Sequence, residues 1–200
     1  MAAKSHSTSA GVNSLGMRGG RRDGCRVDQV DVAELIRLMK SGGAGFAKPI
    51  PMDGLPDMEF ACSFEDTVVE NSMISREFAE WPGDLVEFWR ITSRARLFED
   101  QRYGQWGLSI LDPATAVAAM QQFRERRFHD FLAGDVVLGR FIGDSDLLIV
   151  RCDPSSSDFG HVLVATPIDP RAQWSRIAKT FAGFLDNYIQ ACSEKYWAGS

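Results

Sequence analysis

The chain has 200 residues, 44% hydrophobic and 24% charged, with a net charge of −5. This composition excludes fibrous and low-complexity classes, and a chain of this length buries roughly 70% of its unfolded surface without metal or disulfide staples. Residues 1–48 carry eight basic against four acidic side chains, and residues 49–200 carry fourteen against twenty-three. An acidic body argues against nucleic acid, which demands a positive face, and suits a basic protein partner.

Residues 1–27 are rich in Ser, Gly, Ala and Arg and hold little to bury, which predicts a disordered tail ahead of one domain over 28–200. No run approaches the ~20 apolar residues that span a bilayer. The basic start has no apolar stretch of the kind found in a signal peptide, so the expectation is a cytoplasmic protein.

Val32, Leu35, Ile36 and Met39 form one helical stripe, capped by Asp28 or Asp31 and ended at Gly42-Gly43. Four glycines and three prolines over 41–57 predict a loop. Phe64, Val68, Val69, Met73, Ile74 and Phe78 suggest a helix over 64–80. Trp81-Pro82-Gly83-Asp84 opens a clearer one, with Asp84 as its cap and Leu85, Phe88 and Trp89 as its buried face.

Residues 106–111 alternate like a strand, and Asp112-Pro113 starts an Ala-rich helix. Residues 136–142, 147–151 and 161–166 read as three strands joined by a tight turn at 143–146 and a loop at 153–160. Short connections between sequential strands predict an antiparallel meander, hence an α+β fold with the sheet packed against helices. From Asp169 and Pro170 onward, Trp174, Ile177, Ala178, Phe181, Leu185, Tyr188, Ile189 and Cys192 read as one helical stripe.

Chemistry is sparse. Cys25, Cys62, Cys152 and Cys192 lack C-x-x-C spacing and read as reduced thiols. His6, His129 and His161 have no ligand partners at metal spacing, so no metal or cofactor is expected. Gly43-Ala44-Gly45 lacks the residues of a phosphate loop. Asp144 and Asp146 flank a turn and read first as turn formers, next as a protein contact, and last as a cation site. Arg124, Arg126, Arg127 and His129 suit the negative end of a helix.

The order of motifs resembles the SUKH superfamily, the Smi/Knr-type immunity proteins. The residues that carry the resemblance are Trp81-Pro82-Gly83-Asp84-Leu85-Val86-Glu87-Phe88-Trp89, then Phe141-Ile142-Gly143-Asp144-Ser145-Asp146-Leu147-Leu148-Ile149, Gly160-His161-Val162-Leu163-Val164, and Ala178-Lys179-Thr180-Phe181-Ala182-Gly183-Phe184-Leu185. The likeness covers about residues 64–190 and departs from the family at Thr92-Ser93-Arg94-Ala95-Arg96 and in the shortened turn after Ile142-Gly143. It implies a non-catalytic immunity protein that binds and neutralises a cognate toxin, such as a nuclease. The alternatives are a regulatory scaffold or adaptor of the same fold, and an enzyme using Cys152 or His161. Candidate partner contacts are the loop carboxylates Asp144, Asp146, Asp153 and Asp158 and the loop aromatics Tyr103, Trp106 and Phe159.

Overall fold

The computed structural model describes residues 31–42, 59–70, 72–74, 80–166 and 168–198. The expected tail, the Gly/Pro loop, Asp28, Gly43-Ala44-Gly45, His6 and Cys25 lie outside the described residues. The elements run α1 (Val32–Ser41), β1 (Phe60–Phe64), α2 (Gly83–Ile91), β2 (Ala95–Asp100), β3 (Gly107–Ile110) and α3 (Pro113–Arg126). They continue with β4 (Asp135–Ile142), β5 (Leu147–Arg151), β6 (Val162–Ala165), a 3-10 turn (Arg171–Gln173), β7 (Ser175–Ala178) and α4 (Phe181–Gln190). The seven strands form one antiparallel sheet in strict chain order, so the α+β meander is the observed architecture.

Local chemistry explains the helix starts. The Asp31 carboxylate accepts from Ala33 N at 2.8 Å, and the Asp112 carboxylate accepts from Thr115 N at 3.0 Å with Pro113 in the first turn. Val32, Leu35, Ile36 and Met39 are all buried, as their spacing predicts. Asp84 departs from expectation. Pro82 occupies the cap position of α2, and Asp84 Oδ2 instead accepts from Ala182 N, in the first turn of α4, at 2.8 Å.

Both faces of the sheet are covered. Arg140 and Phe141 are neighbours in β4 and point to opposite faces. The Arg140 guanidinium lies over the Phe123 ring of α3 at 5.8 Å, and Phe141 meets Tyr188 of α4 at 6.2 Å. Helices α1, α2 and α4 pack on one another on the α4 side. Every residue of β5 and β6 is buried, and all are apolar except Arg151 at the end of β5.

Three sequence expectations need correction. The helix expected over 64–80 holds only in part: residues 72–74 are helical, residues 64–70 are not, and 71 and 75–79 lie outside the described residues. Phe64 closes β1, and residues 65–70 follow without regular structure, Ser93 N donating to Thr67 O and Val69 N to Trp89 O. The C-terminal stripe is also not one helix. Trp174 precedes β7, and Thr180, in an extended conformation, caps α4 through Gly183 N at 3.0 Å. Asp169 and Pro170 thus open the short 3-10 turn, not the long helix. Strand β2 had no counterpart among the expected elements.

Candidate functional site

The sheet has two ends, and the predicted contacts divide between them. The β2–β3 turn and the β4–β5 hairpin share one end, which carries Tyr103, Trp106, Asp144 and Asp146. The loop with Asp153, Asp158 and Phe159 leaves β5 at the other.

At the hairpin end, the two aspartates do converge on a cation, and it is Lys195. Its ammonium pairs with Asp144 and, at 2.6 Å, with Asp146, and it lies 5.5 Å from the Phe141 ring centre. Burial alone would lower the lysine's pKa, and the two carboxylates outweigh that and raise it. Residues 191–198 form a strap around this contact. Trp106 Nε1 donates to Ser193 Oγ at 3.0 Å, Trp197 packs on Phe141 at 5.4 Å, and Tyr196 Oη donates to the Ile177 carbonyl at 3.2 Å. Cys192 and Ser193 take positive φ to make the bend. Gly143 sits where a Cβ would lie 1.8 Å from the Gln105 carbonyl oxygen, so the close approach of the two turns requires glycine. Tyr103 is exposed, with the Arg102 guanidinium over its ring at 5.9 Å.

At the opposite end, Asp158 joins a buried ion network. Arg151, with 4% of its side chain exposed, donates to Asp135 at 2.8 Å and to Asp158 at 3.2 Å. Asp135, fully buried, also pairs with Arg171 and accepts from Leu132 N at 2.7 Å. Burial pushes the Asp158 carboxyl up, and the Ser156 hydroxyl and Arg151 outweigh it, holding the group below its ordinary range. Asp153 accepts from the Ser155 hydroxyl and amide, which hold it below its ordinary range too. Phe159 is half-buried. In the basic patch, Arg127 is built into the structure: it pairs with Asp130 at 2.7 Å and reaches the Thr166 carbonyl at 3.4 Å.

Cys152 and His161 lie near each other at the end of the β5–β6 pair, where Arg151 N donates to the His161 carbonyl at 2.9 Å. Cys152 is buried, and burial pushes its thiol far up, away from the reactive thiolate. His161 has a buried Nδ1 without a hydrogen-bond partner. Among the described residues, no three His, Cys, Asp or Glu side chains converge as a metal site, and Cys62, Cys152 and Cys192 are free thiols.

The same end of the sheet carries a feature that sequence reasoning missed. A cleft of about 370 Å³ lies where the end of β1, the start of β2 and the start of α3 meet. Val69 and Pro113 are buried in its wall, and Val68 and Met73 stand 60% and 53% exposed along it. Glu65, Thr67, Ser93, Arg94 and Asp112 complete the lining. Glu65 Oε2 accepts from the Ser93 hydroxyl at 3.0 Å, and Arg94 Nε donates to Asp112 at 2.6 Å. Burial raises the Asp112 carboxyl, and hydrogen bonds from Thr115 and Arg94 outweigh it, so Asp112 stays ionised. The only local signal was the pair Val68 and Met73 among carboxylates, which the expectation of a helix over 64–80 absorbed.

No protein-family model matches the chain, and no curated protein matches it. Among the described residues, no helix is long and apolar enough to cross a membrane.

Proposed function

We propose that this protein acts by binding another polypeptide, as a cytoplasmic immunity protein that occupies and neutralises a toxin, and that it carries out no chemistry of its own. The observation that carries the reading is the cleft with Val68 and Met73 on its lip. Two large apolar side chains left in water beside a concave surface are the feature expected of a protein contact. The acidic balance of residues 49–200 supports a basic partner, and the SUKH resemblance supports a toxin as that partner. Ser93 and Arg94, where the sequence leaves the SUKH pattern, line the cleft, which suits a partner particular to this chain. The internal use of Asp144, Asp146 and Trp106 favours the cleft end as the partner face, together with Asp153.

The experiment is capture with a tagged full chain, identification of the bound protein, and co-expression of that protein with and without this one. Growth arrest relieved by this chain supports immunity. A captured protein that is harmless when expressed alone turns the reading to a scaffold or adaptor.

A further inference from the structure

The cleft is chemically lopsided. Glu65 and Asp112 line it, and Asp66 and Glu70 bracket the Thr67–Val68–Val69 segment, all three glutamate and aspartate side chains outside the Asp112 pair being exposed. The lining holds one cation, Arg94, and it is bound to Asp112 and the Thr115 hydroxyl. Lys40 lies nearby, over the Phe64 ring at 5.4 Å. The start of α3 would ordinarily attract an anion. Here the Asp112 carboxylate already takes that place, accepting from Thr115 N and bringing a negative charge of its own. The volume is enough for one or two side chains, far short of a folded domain.

We propose that this cleft receives an aliphatic side chain presented by a lysine- or arginine-rich segment of the partner, with the apolar group against Val68, Val69, Met73 and Pro113 and the flanking cations beside Glu65, Asp66 and Glu70. The proposal rests on the polypeptide-binding reading above and names the chemistry of the segment bound. Hydrophobic contact supplies retention, and the carboxylate rim selects basic over acidic sequences.

The probe is a short capped peptide with two adjacent leucines flanked by lysines, set against the same peptide with glutamates in place of the lysines. Each is titrated into the isotope-labelled full chain, with amide shifts as the readout. The lysine peptide is expected to shift Val68, Val69, Ser93 and Ala114 saturably and more weakly as salt rises, and the glutamate peptide is expected to leave them still. Val68→Ser with Met73→Ser, both at exposed positions, should weaken the lysine peptide about tenfold, as loss of an apolar anchor does. Asp66→Lys with Glu70→Lys should erase the preference for lysine. Absent shifts, shifts elsewhere, equal binding of both peptides, or indifference to these variants would overturn the proposal. A natural toxin that is neutralised equally by wild type and by the Val68→Ser/Met73→Ser protein would sink the cleft and leave the immunity reading standing.

Discussion

Asp135 shows how a single charge sets the terms for its surroundings. It is fully buried at the start of β4, and only the Leu132 amide, Arg151 and Arg171 make that tolerable. Removing one partner of such a pair leaves charge stranded in a poorly solvated site, which costs more than the pair itself contributes. Arg151→Met is therefore expected to destabilise the protein by about 3 kcal/mol, the lower end for a broken buried pair, because Arg171 remains. Urea unfolding measures it, and a loss below roughly 1 kcal/mol would mean that Asp135 finds solvent or takes up a proton. His161 makes a second prediction. Burial, then Arg176 and Lys179, outweigh Asp158 and lower its pKa. A lowered folded pKa means that the unfolded chain binds the proton more readily. The stabilising contribution is complete above the ordinary value of about 6.5 and is lost as pH falls through that value towards the folded one. His161→Gln should flatten the decline in urea midpoint between about pH 7 and 5. An unchanged slope would assign that decline to other groups.

Among the elements, α4 and the strap hold the α4 face of the sheet. Phe181 is fully buried at the start of α4, 5.3 Å from Phe88 and 6.3 Å from Phe184 between ring centres. Phe181→Ala is expected to cost about 3–5 kcal/mol through lost burial and the cavity left behind. A chemical-denaturation loss under about 1 kcal/mol would contradict this packing. The strap protects an edge as well as a face. β7 is the last strand, Ile177 is the extra residue of a bulge between Arg176 and Ala178, and Tyr196 engages the Ile177 carbonyl. Ending the chain after Ser193 removes that cover together with Lys195 and Trp197. The truncated protein should melt lower and self-associate in sedimentation experiments, and a monomer with an unchanged melt would show the strap to be incidental.

These elements also show which parts of the sequence were legible. The α1 stripe, the Asp112-Pro113 start and the three strands of the centre carry clean local periods, and the structure has them all. β2 was hidden because Leu97 and Phe98 are both buried side by side. The two residues face Cys62 alone across a bulge, with Phe98 at φ 51, which breaks the alternation that marks a strand. The C-terminal stripe misled for the opposite reason. Trp174 and Ile177 fall at helical spacing from Phe181 although they belong to a turn and a strand, and the Thr180 cap was the competing signal. The site was less legible than the fold. Lys195 lies 49 residues beyond Asp146, and the cleft joins residues 65–73 to 93–94 and 112–114, so neither pairing leaves any trace in local spacing.

On the scale of the whole molecule, the separation of two charge environments governs encounter with a partner. Asp153 is half-buried at the cleft end and bonded to the Ser155 hydroxyl and amide, whereas the two hairpin carboxylates share the single ammonium of Lys195. Asp153→Lys is expected to slow association with the identified partner and to flatten its salt dependence, because rim charges act on encounter and are screened over about 8–10 Å. Stopped-flow rates at two ionic strengths decide it, and identical rates for variant and wild type would remove Asp153 from the partner face.

The strict chain order of the strands has a consequence for synthesis on the ribosome. Each strand finds its neighbour in the segment made just before it, so the sheet grows outward from β1 as translation proceeds, with no strand held waiting for a distant mate. The α4 face obeys a different clock. α1 is made first and α4 last, yet they pack on each other, and α4 supplies the aromatic cover for Phe88, Phe98 and Phe141. A nascent chain halted at residue 178 would therefore hold a full set of paired strands with one oily face still open, a species for chaperones to shelter until the last turn of helix emerges.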